Sequence, residues 1–175
     1  MRVITIGAGT SKEVGSREFV KEISRPNSVN DVTAIIRSAD SSLSIEQAQN
    51  IAAWCDHDLR LALLLTKSNQ QDPGLSKQPI TSVDDVWKHV TNLFAHEIGD
   101  PQIFRDHYEI LSLCLDIGNQ RERRNELEHL AKYFEKSIAE FDRAIARACD
   151  CGLGRQQGRF FEATPRALAR RVFER

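Results

Sequence analysis

The sequence predicts a mainly α-helical chain in two modules, a helical bundle followed by three helices, a small β-hairpin and a last helix. Three observations carry this. Apolar residues recur at three- and four-residue spacing, helix caps precede several of those stretches, and a Gln-Gly turn sits between two short extended runs near the C-terminus. With 175 residues, 41% apolar and 28% charged, the chain can bury one large core or two small ones, and its composition is that of a globular protein.

Taken in order, Arg2–Ile6 (RVITI) is a short β-branched run ending in Gly7, the pattern of a buried strand. Residues 7–28 hold Gly7, Gly9, Gly15 and Pro26 and read as loop. Behind an Asn30/Asp31 cap, Val32, Ile35 and Ile36 share a helical face. Ser44 starts a second helix through Ile45, Ala48, Ile51, Ala52 and Cys55, and Asp58 a third through Leu59, Ala62, Leu63, Leu64 and Leu65. The polar stretch Ser68–Pro79 reads as linker, and Ser82 or Asp84 caps a helix with Val86, Trp87, Val90, Leu93 and Phe94 that ends at Gly99-Asp100-Pro101. Helices are then expected over Ile103–Ile117, Asn125–Phe134 and Ser137–Cys149, with two strands around Gln157-Gly158 and a helix opened by Pro165. That is the order of a winged helix-turn-helix. The expected division is a remnant strand and loop over 1–27, a bundle over 28–98 and a winged helix over 103–175.

Composition excludes several functional classes. No stretch reaches the roughly 18–20 apolar residues that a membrane helix needs, and the N-terminus has no secretion signal, so the cytoplasm is the expected compartment. Cys55, Cys114, Cys149 and Cys151 lack metal-ligand spacing, the five histidines are scattered, and no metal is expected. Gly7-Ala8-Gly9-Thr10-Ser11-Lys12 fits neither the Rossmann nor the Walker A spacing. His96-Glu97 lacks the second histidine of a zinc protease, because Asp100 stands there, and there is no nucleophile elbow. No catalytic residue is expected in this chain. Charge is uneven: residues 121–175 hold 13 Lys/Arg against 9 Asp/Glu, whereas residues 1–120 hold 11 against 16. From Arg155 onward every base is arginine, opposed only by Glu162 and Glu174, which points towards a phosphate-rich partner or a solvated face.

Two segments carry a resemblance. Cys55-Asp56-His57-Asp58-Leu59-Arg60-Leu61-Ala62-Leu63-Leu64-Leu65 resembles the sensor 2 region of the helical lid of AAA+ ATPases, with His57 where many relatives have glycine. The resemblance implies that Arg60 reaches a phosphate held by an ATPase core, and that ATP or ADP is the ligand of a full-length parent whose preceding region carries Walker A and Walker B. No cofactor is implied for this chain alone. The segment Gly152–Ala169, with Gly158-Arg159-Phe160 and Thr164-Pro165, resembles the wing and last helix that follow the lid in prokaryotic STAND-type ATPases. Thr164-Pro165-Arg166 also resembles the sensor 2 motif of the Holliday-junction branch-migration motor, which makes Arg166 the rival to Arg60.

Two functions follow. In the first, the chain is the non-catalytic regulatory portion of a P-loop ATPase, with Arg60 sensing nucleotide and the winged helix passing the change to DNA or to a protein partner. In the second, it is a free-standing winged-helix DNA-binding regulator whose N-terminal helices form a homodimer. For contact with double-stranded DNA or a partner, Arg143 and Arg147 on the reading helix and Arg155 and Arg159 on the wing are the expected residues, with Glu140 and Asp142 opposing DNA.

Overall fold

A computed structural model describes residues 28–76 and 78–173. The expected strand Arg2–Ile6 and the Gly7–Lys12 segment lie outside the described residues. The first half is helical: α1 Val29–Ala39, α2 Ile45–Trp54, α3 Leu59–Gln71, the single turn α4 Pro73–Ser76, and α5 Val83–Leu93. The second half runs α6 Pro101–Ser112, β1 Ile117–Gly118, a 3-10 turn at Arg121–Arg123, α7 Arg124–Tyr133, α8 Ile138–Asp150, β2 Gly154–Gln157, β3 Phe160–Ala163 and α9 Arg166–Phe173. The chain is mainly helical with a small antiparallel sheet in the order β1-β3-β2. No helix among the described residues is long and apolar enough to cross a membrane.

Capping chemistry fixes most helix starts. Ser28, rather than Asn30 or Asp31, caps α1 by accepting from the Asp31 amide at 3.1 Å. At α2 the Ser44 hydroxyl accepts from the Gln47 amide, and the Gln47 side chain accepts from the Ser44 amide at 2.8 Å, a reciprocal capping box. Ser82 and Asp85 form the same device at α5. The hydrogen bond from Lys88, with those from Thr81 and Ser82, holds the Asp85 carboxyl well below its ordinary range. Asp100, expected to end a helix, instead begins one: its carboxylate accepts from the Gln102 and Ile103 amides at 2.9 Å, with Pro101 in the first turn of α6.

Two expectations are corrected by tertiary pairing. The helix expected over Ile103–Ile117 stops at Ser112, because Ile117 and Gly118 leave the helical path to pair with Phe161 and Phe160 of β3. The expected linker 68–79 is mostly helix, since α3 continues to Gln71 on buried Ser68 and Asn69 and α4 adds a turn. In the interior, the Ser68 hydroxyl donates to the His89 carbonyl and the His89 Nδ1–H in turn meets the Ser68 oxygen, both at 3.2 Å.

Burial makes the His89 imidazole hold a proton less readily than its ordinary value of 6.5. The folded state therefore binds fewer protons than the unfolded chain. The stability this group contributes is fully present above about pH 6.5 and declines as pH falls below that value. Thermal melts between pH 7.5 and 5 are expected to show a falling midpoint, with a shallower fall in His89→Gln.

One continuous core runs from Val32 and Ile36 of α1 to Leu168 of α9. The two halves meet on aromatic rings. Trp87 of α5 stands edge-on to Tyr108 of α6, centroids 5.4 Å apart, and to Phe104 at 6.2 Å. Its indole N–H donates to Glu109 at 2.9 Å, and Arg105 lies over the same ring while bonding Glu109 and Asp84. Bundle and C-terminal half are thereby fixed to each other.

Candidate functional site

The turn between α2 and α3 sets the position of Arg60. Asp56 and His57 both have left-handed backbones (φ 47° and 65°), which reverse the chain within three residues. Asp58 then caps α3 by accepting from the Leu61 amide at 3.1 Å. This delivers the first turn of α3 to the C-terminal half. The Arg60 Nη1 donates to the Thr164 hydroxyl at 3.3 Å, and Nη2 occupies the space that a side chain on Gly152 (φ +71°) would need.

Thr164 is held from two sides, since its carbonyl accepts from the buried Tyr108 hydroxyl at 2.9 Å. Burial raises the Tyr108 phenol far above its ordinary value, so it remains a neutral donor. Beside this contact lies a groove of about 680 Å³ between the Asp56–Asp58 turn, the end of α6 and α9. Arg170 pairs with Asp56 across it at 2.5 Å.

Arg166, the rival to Arg60, donates to Glu162 at 2.6 Å. Arg155 bonds the other oxygen of that carboxylate. Burial alone would raise the Glu162 carboxyl, but hydrogen bonds from the two guanidiniums outweigh it and hold the group below its ordinary range. The remaining nominated arginines are distributed unevenly. Arg159 pairs with Glu122, and Arg147 donates to the Ile98 carbonyl at 2.8 Å, tying α8 to the loop before α6. Arg143 is exposed on α8 without a hydrogen bond or ion pair among the described residues.

The exposed stripe of α8 is Ala139, Arg143, Ala146 and Asp150, one cation and one anion. Its flank is neutralised too, because Arg124 of α7 clamps Asp142 through two 2.5 Å bonds. Glu122 and Thr164 were not legible as partners. Glu162 had left a signal, as one of two acids in an arginine-rich tail.

Among the described residues no group of three or more His, Cys, Asp and Glu side chains is arranged to hold a metal ion. All four cysteines are free thiols; burial pushes the Cys151 thiol up to about 11 and Cys55 higher still, so both stay protonated at neutral pH. Comparison with protein-family models, curated proteins and solved structures finds no match to this chain.

Proposed function

We propose that the chain is the non-catalytic regulatory portion of an AAA+/STAND-type P-loop ATPase, a lid whose Arg60 answers to nucleotide and a winged helix that passes the answer to a protein partner. The helix, strand, helix, helix, hairpin, helix order with sheet order β1-β3-β2 supports the winged helix. The bond from Arg60 to Thr164 carries the rest. It links the first turn of α3 to Thr164, two residues before α9, across 104 positions of sequence.

A single 3.3 Å bond to a neutral hydroxyl is a weak hold on a guanidinium, whereas a phosphate offers ionic, paired acceptors. A nucleotide phosphate brought near α3 draws Arg60 away from Thr164, and the Thr164–α9 segment feels the loss. ATP or ADP would thus act on the winged helix through one side chain. A protein partner is favoured over DNA because Arg147, Arg155 and Arg159 are engaged within the chain, leaving Arg143 alone on the outer face of α8.

Two measurements test this. In the ATPase parent, Arg60→Ala is expected to lower ATP turnover by about tenfold or more, the scale of one lost charged contact to phosphate. Unchanged turnover and unchanged nucleotide response would remove the assignment. Duplex DNA titrated with this chain across salt is expected to show no binding with the steep log-linear salt dependence of several phosphate contacts. Finding such dependence would favour the free-standing DNA-binding regulator instead.

A further inference from the structure

The seam between α6 and α8 contains a histidine that the proposed function does not use. His107 is 3% exposed, and its Nδ1 lies 2.7 Å from the Ile103 carbonyl. A carbonyl can only accept, so Nδ1 carries the proton and the neutral ring presents a bare lone pair at Nε2. That Nε2 is buried with no hydrogen-bond partner, which is unusual for an interior polar atom. It faces the Glu140 carboxylate of α8 at 3.6 Å. Lone pair and carboxylate oxygen thus face one another as two acceptors, neither carrying a proton to donate.

We propose that His107 and Glu140 form a proton-operated link between α6 and α8. One proton taken from solvent onto Nε2 makes the imidazole a cation with two donors, and the facing contact becomes an ion pair. Glu140 is 37% exposed and stands in the first turn of α8, so a small rotation brings its oxygen into hydrogen-bonding range. The crevice around the ring is lined by Ile103, Phe104, Glu140, Arg143, Ala144 and Arg147. Its charged groups therefore all come from α8: Glu140 favours proton uptake, Arg143 and Arg147 oppose it, and Arg147 is anchored on the Ile98 carbonyl. The other elements packed on α6, namely α5, β3 and α9, place no charged group in the crevice.

The consequence lies on the outer surface. In the unprotonated state Glu140 puts a free negative charge beside Arg143, and in the protonated state that charge is tied down against the ring. The face of α8 becomes more positive as the solution acidifies, and α6 and α8 are joined by a bond absent at higher pH.

Ring 15N and 13C NMR of the full chain tests this directly. At neutral pH the His107 ring is expected in the Nδ1–H form, and once the ring carries its second proton the side-chain carboxyl carbon of Glu140 is expected to shift with it as the ion pair forms. Either an Nε2–H ring at neutral pH or a Glu140 carboxyl carbon that does not respond when the ring becomes doubly protonated overturns the link. Both criteria are read in the wild type alone.

Discussion

Tyr108→Ala is expected to destabilise the chain by about 3–5 kcal/mol, the cost of deleting a large ring from a close-packed interior. Three roles converge on this residue. Its ring is completely buried between Trp87 and Phe104, so truncation opens a cavity at the junction of the two halves. Its hydroxyl satisfies the Thr164 carbonyl, which would be left without that donor. Through Thr164 it also positions the acceptor of the Arg60 bond.

Tyr108→Phe separates these terms. It keeps the ring and removes only the donor, and is expected to cost about 1–2 kcal/mol. Urea unfolding followed by circular dichroism measures both variants, and a single transition is expected in each because one core runs through the two halves. Two separate transitions would mean that the N-terminal helices and the C-terminal half hold themselves up independently. A Tyr108→Ala cost near that of Tyr108→Phe would mean that the seam collapses without loss around the missing ring.

What the sequence made legible was local. Ser44, Asp58 and Ser82 announce helix starts because a cap is a contact within three residues, and the side chains make those bonds as the spacing demands. The hairpin was legible for the same reason, since Gln157-Gly158 turns the chain between strands that pair directly. β1 was not. Leu111, Cys114 and Ile117 keep the helical spacing of α6, and only pairing with the distant β3 pulls Ile117 out of it.

The candidate site divides along the same line. Arg60 at the start of an apolar helix is a sequence observation, whereas Thr164 as its acceptor is a product of the tertiary fold. The arginine-rich tail looked like a phosphate-binding surface because charge along a chain carries no record of its partners. Glu122 opposite Arg159, Asp142 opposite Arg124 and Glu162 between Arg155 and Arg166 change what that surface offers. An ion pair between distant segments leaves no spacing to read, so counting arginines overstates the free positive charge.

Gly154→Ala is the second substitution expected to have a large effect, and it separates two reasons for glycine in the β2–β3 hairpin. A Cβ at Gly154 would stand 2.8 Å from the Phe161 Cζ and 3.1 Å from the Ala148 Cβ, closer than packed carbons approach. Phe161 cannot retreat, because it is 1% exposed and its backbone is paired with Ile117 on one side and Gln156 on the other. Ala148 belongs to α8, so the methyl would push that helix off the sheet. The cost expected for such overpacking is about 3 kcal/mol, with α8 displaced. Gly158 presents the opposite case, with φ +61° and no atom within 4 Å of an added Cβ. Gly158→Ala meets only the backbone penalty of a left-handed conformation, about 1 kcal/mol. Thermal midpoints should therefore rank wild type above Gly158→Ala and Gly158→Ala above Gly154→Ala. A reversed order would mean that the turn, and not the contact between β2, Phe161 and α8, sets the stability of the hairpin.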